Sequence, residues 1–265
     1  MTLLPIGVIR SPVARRMQMP PAGVPARLEL FPEYAGGLLR IEKHSHVWVL
    51  AWLDGARRDL LQVIPRGVRQ EEPAALHGVF AVRSPARPNP IGLTVTRVVR
   101  IEGTIIEVDR LDFLDGTPLI DVKPYFANRD LVFAAASVQI GRPASREALR
   151  DSLLHQALNF HGEFCAGLAL AVRVVEHFRA EILALADPPE WRVTVPLARG
   201  CLVDAIMGMT RATPGRGNLT FAAADRVLFT HRGLAYEYEP LPHDAGEPQA
   251  LLAAPEEELF RWQFR

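Results

Sequence analysis

Cysteine and lysine are both scarce in this sequence, and long hydrophobic runs are absent from it. Two cysteines in 265 residues, Cys165 and Cys201, exclude a disulfide framework. No apolar stretch reaches the roughly 18 residues of a membrane span, and the first residues lack the basic segment and hydrophobic run of a secretory signal. We therefore expect a cytoplasmic protein with no membrane partner.

Neither sign of charge dominates. The chain has 30 basic and 30 acidic side chains, and every basic residue except Lys43 and Lys123 is an arginine. Residues 1–126 hold 16 basic and 13 acidic side chains, a net charge of +3, and residues 127–265 hold 14 and 17, a net charge of −3. The chain is thus no polycation, and its first half would attract an anionic partner only weakly.

The chain is long enough for two domains, and its pattern changes near residue 127. Before that point, short apolar runs are separated by Pro and Gly. "HVWVLAWL" predicts a strand buried on both faces, "GVFAV" and "PLIDV" predict two more, and Glu102-Gly103 predicts a hairpin turn between "GLTVTRVVRI" and "TIIEVDRLDFL". The alternation of the first of these two strands places four residues on one face: Leu93, Val95, Val99 and Ile101. We predict a β-barrel over residues 1–130.

The second half has helical periodicity. Ser145 is a candidate N-cap for a helix whose apolar stripe contains Leu149, Leu153, Ala157 and Leu158. A second helix is predicted from about Ala166 to Leu185, "VDAIMGM" a short one, and "WRVTVP" and "RVLFTHRG" two strands. We predict an α+β domain over residues 145–240 and a loose, acidic C-terminal tail over 241–265, with an aromatic end that packs on a neighbouring surface.

The segment "VRSPARPNPIG", residues 82–92, combines three prolines with polar side chains. Pro85, Pro88 and Pro90 restrict the backbone, so Arg83, Arg87 and Asn89 point in fixed directions between two predicted strands. Such a rigid rim suits ligand binding, because little ordering entropy remains to be lost. A structural loop with solvated arginines fits the residues equally well.

Five ordered motifs in residues 3–126 resemble the TrmO (TsaA-like) family of small β-barrel methyltransferases that use S-adenosylmethionine: "PIGVIRSP", "LELFPEY", "SHVWVLAW", "GVFAVRSPARPNPIGL" and "LDFLDGTPLIDVKPY". The resemblance implies methyl transfer to the exocyclic N6 of threonylcarbamoyl-adenosine in tRNA, with the donor near a homodimer interface. A dinucleotide-type glycine fingerprint is absent, which disfavours a Rossmann-like methyltransferase.

The resemblance also implies residues that contact the donor: Gln18, Asp54, Gly55, Arg83, Leu93, Asp109, Arg110, Leu111 and Asp112. Gln18 is the residue that survives of a "PRQP"-type contact, and Asp54 stands where the family usually has a histidine. Because the donor carries its own leaving group, the protein mainly has to align the reactants. Asp112 would hold the donor, and Asn89 and Tyr125 would orient the incoming amine; alternatively, the acids of "LDFLDGTP" are solvated hairpin residues. His46 matches a family histidine and, with His44, lacks an evident third metal ligand.

The second half contains a candidate metal site. His161 precedes Cys165 by four residues, and both Cys165 and Cys201 stand where a helix is predicted to begin, a position that lowers a thiol pKa. These three residues are a plausible ligand set for a zinc-type divalent ion, although two unrelated buried cysteines fit the spacing as well.

"FHGEFCAGLALAVR", "GCLVDAI" and "TPGRGNLTF" resemble the FmdE family of formylmethanofuran dehydrogenase proteins over about 150–235. The resemblance implies a zinc-type site at His161, Cys165 and Cys201. Glu163 replaces a second family histidine and Ala166 a proline, while Asp204 could supply a fourth ligand or bind a ligand from outside. "GRGN" is expected to be a turn.

Three functions follow from these patterns. The first is a tRNA-modifying methyltransferase with an accessory second domain. The second is a methyltransferase for a small thiol or amine that the metal domain presents. The third is a non-enzymatic metal-binding or metal-sensing module.

Overall fold

The computed structural model describes residues 2–70, 75–242 and 247–265. The chain divides into two compact units, residues 1–135 and residues 136–265. Within the described ranges, no helix combines the length and the apolar character that crossing a membrane requires.

The first unit is a closed antiparallel β-barrel, as predicted. Its strands follow one another around the barrel in the order β1 (Gly7–Arg10), β2 (Val24–Leu30), β7 (Ile105–Leu111), β6 (Ile91–Glu102), β3 (His46–Trp52) and β8 (Pro118–Pro124). Two further strands, β4 (Gln62–Val63) and β5 (His77–Gly78), form a short separate ribbon, and helix α1 (Ala127–Asp130) follows β8. The turn at Gly103, with φ +57°, joins β6 to β7 at the predicted hairpin.

Strand β3 alternates between two environments. Val47, Val49 and Ala51 are fully buried inside the barrel, whereas the intervening residues are half-buried on its outer side. The prediction of burial on both faces was therefore wrong, because in a closed barrel each strand has one face turned inward and one outward. "GVFAV" was also mispredicted: β5 ends at Gly78, and Ala81 N–H donates to Gly78 O in a turn that leaves Phe80 exposed.

Strand β6 contains a β-bulge between Val98 and Arg100. A bulge inserts one unpaired residue and so exchanges the inward and outward positions beyond it. Leu93 and Val99 are consequently exposed on the outside, whereas Ile101 packs against the barrel core. The prediction that these three residues share one face was wrong for this reason.

The second unit is α+β, as predicted. Its sheet has the order β10 (Leu219–Ala222), β9 (Val193–Pro196), β11 (Val227–His231), β12 (Leu234–Pro240) and β13 (Phe260–Phe264), and only the β10–β9 pair is parallel. The helices of this unit are α2 (Arg146–His161), α3 (Ala166–His177) with a π-helical turn at Phe178–Ile182, α4 (Gly200–Thr210), α5 (Pro248–Ala253) and α6 (Glu256–Leu259).

Helix α2 begins and ends at the residues its sequence favours. Ser145 Oγ accepts a hydrogen bond from Ala148 N–H at 3.2 Å, which confirms the predicted N-cap. Gly162 ends the helix with φ +85°, a left-handed conformation that glycine adopts without strain. The buried residues of α2 are Leu149, Leu153 and Ala157, and they pack against α3 and α4 in one hydrophobic core.

A buried charged group connects α2 and α3. The carboxylate of Glu176 is fully buried and accepts hydrogen bonds from Arg146 Nε at 2.7 Å and from Arg150 Nε and Nη2 at 2.7 and 2.8 Å. Arg150 and Arg173 also donate to Leu252 O, at 3.2 and 2.7 Å. The arginines thereby bind the segment that leads into β13, so residues 248–264 are part of this unit.

Candidate functional site

The proline loop, residues 82–92, is held by two arginines. Arg87 donates from Nε to Ser84 O at 2.8 Å and from Nη2 to Val82 O at 2.6 Å and Val79 O at 3.0 Å. Arg58 Nε donates to Pro88 O at 2.8 Å, and its guanidinium lies over the ring of Trp52. The loop is therefore fixed by hydrogen bonds as well as by its prolines. The sequence did not distinguish Arg87, which holds the loop, from the exposed Arg83 and Asn89.

The proline loop lies at the end of the barrel where β3 and β7 finish and β6 begins, called here the loop end. Leu53 N–H donates to Pro90 O at 2.9 Å, which places Asp54 and Gly55 beside the loop. A Cβ on Gly92 would lie 2.4 Å from the ring of Phe113, so the residues that follow β7 are also adjacent.

The segment before β2 reaches the loop end as well. A Cβ on Gly23 would lie 2.6 Å from the carbonyl carbon of Leu111, and Arg66 fixes the preceding turn through hydrogen bonds to Met19 O at 2.9 Å and Arg16 O at 3.3 Å. Gln18 is exposed on that turn. Four separate segments thus bring together most of the predicted donor-binding residues.

The residues 109–112 differ in what they can offer a ligand. Asp112 Oδ1 accepts from Thr94 Oγ1 at 2.6 Å, while Asp109 accepts from Thr96 Oγ1 and from Arg97 N–H, both at 3.0 Å. The side chain of Leu111 is buried in the core, so only its backbone could touch a ligand. Arg110 Nη1 is buried and has no hydrogen-bond partner among the described residues. An acceptor group of a ligand would satisfy it.

Tyr125 lies away from the loop end. Its N–H donates to His46 O at 3.0 Å, and its ring lies 5.8 Å from that of Trp48. His46 is the first residue of β3 and Trp52 the last, a separation of about 20 Å along the strand. The structure therefore does not bring Tyr125 to Asn89 and Asp112 within one chain.

His46 and His44 make aromatic contacts rather than a metal site. The ring of His46 lies 6.3 Å from that of Tyr125, and the ring of His44 packs edge-on against Phe126 at 5.4 Å. Burial lowers the pKa of His46. In the part of the chain that the structure describes, neither histidine belongs to a group of three potential metal ligands.

In the second unit the structure does assemble such a group. His161 is the last residue of α2, Cys165 caps α3, and Cys201 lies in the first turn of α4. Their ligand atoms all lie within 4.8 Å of one another, and Cys165 Sγ is 3.5 Å from His161 Nε2. The αL turn at Gly162 allows the chain to pass from one helix to the next within four residues. Glu163 is exposed and is not in this group.

The environment of Cys201 differs from the expectation based on helix position. Burial, together with a hydrogen bond to the Cys165 thiol and the charge of that group, raises the pKa of Cys201. The expected lowering by the helix N-terminus is therefore outweighed. Asp204, one turn further along α4, lies with Oδ2 at 3.1 Å from His161 Nδ1.

The segment "GRGN" is a turn. Asn218 Oδ1 accepts from Thr213 N–H at 2.9 Å, and Gly217 has φ +69°. These contacts account for its composition.

Two family patterns match this chain. Residues 8–131 match the tRNA-methyltransferase O N-terminal domain, and residues 160–235 match the family described as FmdE, molybdenum formylmethanofuran dehydrogenase operon. A probable S-adenosyl-L-methionine-binding protein of Archaeoglobus fulgidus is 38% identical over 226 residues, which are 82% of this chain and 60% of that protein. A second protein of that organism, an S-adenosyl-L-methionine-binding protein, is 43% identical over 136 residues, 50% of this chain and 94% of its own length.

A eukaryotic relative carries an enzyme name. The tRNA (adenine(37)-N6)-methyltransferase of Mus musculus is 37% identical over 106 residues, 39% of this chain and 24% of that protein. The chain thus spans about 60% of the length of the first Archaeoglobus protein and a quarter of the mouse enzyme.

Proposed function

This chain belongs to the tRNA-methyltransferase O family, and on that premise we propose that it is a methyltransferase that uses S-adenosylmethionine and binds it at the loop end of the barrel. The observation that carries the proposal is the convergence there of four segments, which bear Gln18, Asp54 with Gly55, Asn89, and Asp112.

The proposed chemistry needs alignment more than acid–base catalysis. The lone pair of an acceptor amine attacks the donor's methyl carbon as the bond from that carbon to sulfur breaks, which leaves S-adenosylhomocysteine and releases one proton from the nitrogen. Holding donor and acceptor in line supplies most of the acceleration. The fixed proline loop suits this task, because its backbone is ordered before any ligand binds.

Individual residues receive distinct roles in this proposal. Asp112, oriented through Oδ1 by Thr94, holds the donor's amino group through its other oxygen. Arg110 Nη1 is placed to receive an acceptor atom of the bound molecule. Arg83, Leu93 and the backbone of Leu111 line the donor, Asp109 orders the strand pair, and Asn89 orients the acceptor amine.

We propose N6 of a tRNA adenosine as the acceptor. Support comes from the family and from the name of the mouse relative. A homodimer is proposed with it, because Tyr125 lies about one strand length from Asn89 and would reach the acceptor only from a second copy.

A metal ion of the zinc type fits the second unit. Two thiols and one imidazole are donors that zinc prefers, and their ligand atoms lie close enough together to share one ion. His161 Nε2, Cys165 Sγ and Cys201 Sγ would hold it. When bound, the ion would stabilise thiolates and offer a Lewis acid.

The same cluster supports a second candidate function, in which the metal presents a small thiol or amine as the methyl acceptor. Exposure of Cys201 at the cluster favours this alternative, because a small molecule could reach the ion from that side. A non-enzymatic metal-binding module is the third candidate.

Calorimetric titration with S-adenosylmethionine and elemental analysis of the purified protein test these proposals. We expect donor binding, weakened about tenfold in Asp112→Asn, since a charged hydrogen bond is lost. Glu102→Gln, at the opposite end of β6, serves as the control and should bind normally. Absence of donor binding in the unmodified protein would contradict methyl transfer and favour the metal-binding module.

Transfer of labelled methyl from the donor to tRNA of a strain that lacks the modifying enzyme tests the acceptor. Binding to tRNA should weaken steeply with salt. Donor binding without tRNA binding or methylation would favour the small acceptor.

A further inference from the structure

We infer that Asp204 is a positioning residue for the metal cluster: it binds His161 from outside the cluster, fixes its ring tautomer, and leaves a fourth coordination position for an exogenous thiolate or anion. This inference rests on the proposed metal site. It concerns how the chain's own residues prepare that site.

The contacts of the imidazole distinguish its two nitrogens. Nδ1 lies 3.1 Å from Asp204 Oδ2, and Nε2 lies 3.5 Å from Cys165 Sγ. A carboxylate accepts hydrogen bonds, so Nδ1 carries the proton and donates it to Asp204. Nε2 then presents its lone pair toward the two sulfur atoms, as a metal ligand must.

Asp204 is fixed to the correct place by α4 itself. It follows Cys201 by three residues, so the two side chains lie on one face of the helix. One helix therefore supplies both a sulfur ligand and the carboxylate that orients the histidine. Because this carboxylate is engaged on the far side of the imidazole, it is not a fourth ligand.

Three protein ligands leave one position of a tetrahedral ion open. Among the described residues, the group of potential ligands contains only His161, Cys165 and Cys201, and Cys201 is exposed. The open position therefore faces a side that solutes can reach. Since thiolates prefer zinc-type ions, a small thiol is the ligand class that fits best.

Cobalt(II) replaces zinc in such sites and reports on the donor set through its absorption spectrum. We expect the unmodified full-length protein to show sulfur-to-cobalt charge transfer, and an added small thiol to change the spectrum. In Asp204→Ala the affinity for the metal should fall by about 10- to 100-fold, while the spectrum at saturation stays the same. Asp204→Asn keeps an acceptor for the Nδ1 proton, so its affinity should lie between the two.

Asp151→Ala is the matched control. It removes one exposed carboxylate from α2, about 15 Å along the helix from His161, and should leave the affinity unchanged. In the zinc-loaded protein, nitrogen NMR of His161, assigned with a His161→Gln variant, should show a proton on Nδ1. A merely structural role of Asp204 would not fix that signal.

Each failure has its own meaning. If the unmodified protein binds neither cobalt nor zinc, the proposed metal site is wrong. If it binds metal and Asp204→Ala binds equally well, the inference about Asp204 is overturned. A changed spectrum of Asp204→Ala at saturation would make Asp204 a ligand and likewise overturn it, and an unaltered spectrum with added thiol would contradict the open position.

Discussion

The Cβ atom of Cys201 lies 2.9 Å from the position that a Cβ atom on Gly167 would occupy. Helices α3 and α4 approach most closely where their first turns carry Cys165 and Cys201. A glycine at position 167 thus allows the two sulfur-bearing turns to meet.

We predict that Gly167→Ala separates these turns. The added methyl group forces the helices apart by a few tenths of an ångström, which should cost about 1–3 kcal/mol of unfolding free energy and weaken metal binding. Urea unfolding and competition with a chelator measure the two effects. Gly200→Ala is the control, because a Cβ at Gly200 meets open space; equal behaviour of both variants would contradict the prediction.

Arg87→Ala should loosen the proline loop. The substitution removes three hydrogen bonds to backbone carbonyls, so the loop would have to be ordered when the donor binds. We expect affinity for S-adenosylmethionine to fall about tenfold by calorimetry, equivalent to about 1.4 kcal/mol. Arg69→Ala, which removes an exposed arginine of the same unit, should bind normally. Unchanged affinity in Arg87→Ala would show that donor binding does not depend on a fixed loop.

Glu176→Gln should strongly destabilise the second unit. It leaves the buried guanidiniums of α2 and α3 without their shared counter-charge, at a cost of about 3–5 kcal/mol. Urea unfolding followed by tryptophan fluorescence would detect the change. Glu239→Gln, at an exposed position of β12, should shift the midpoint little. A similarly small shift in Glu176→Gln would mean that the buried carboxylate contributes no stability.

The stability of the second unit should depend on His177. Burial lowers the pKa of His177 below its ordinary value of 6.5, and Nδ1 lies 2.9 Å from the Tyr238 hydroxyl. The unfolded chain therefore binds a proton at higher pH than the folded one, so stability falls as the pH drops below about 6.5. His177→Gln should lose less unfolding free energy than the unmodified protein between about pH 7.5 and 5.5. His44→Gln, in the other unit, should keep the original dependence; an identical slope in His177→Gln would contradict the prediction.

Local sequence signals predicted the elements whose cause is local. Ser145 determines a helix start through its own side chain, and Gly103 a hairpin turn through its own backbone, so both could be predicted. The direction in which Ile101 points could not, because it depends on a bulge formed with the neighbouring strand. Strands β10, β12 and β13 were missed for a related reason: they gain their hydrogen bonds from distant partners.

The candidate sites show the same division. The spacing of His161 and Cys165 indicates a cluster because four residues and one glycine connect them, whereas the contact with Asp204 requires α4 to pack beside α2. The roles of Asn89, Asp112 and Tyr125 were assigned together, yet only the path of the strands reveals that Tyr125 lies at the far end of β3. The loop-holding roles of Arg58 and Arg87 are equally invisible without the backbone carbonyls that they meet.

Strand β13 also bears on how this protein is shortened or tagged in the laboratory. The FmdE match ends at residue 235, but β12 hydrogen-bonds to β13 as far along as residue 264, and Trp262 covers the ring of His177. A truncation guided by the family match would uncover a sheet edge that can recruit other chains. Fusion partners are therefore better joined to the chain through a flexible spacer after residue 265 than in place of its last residues.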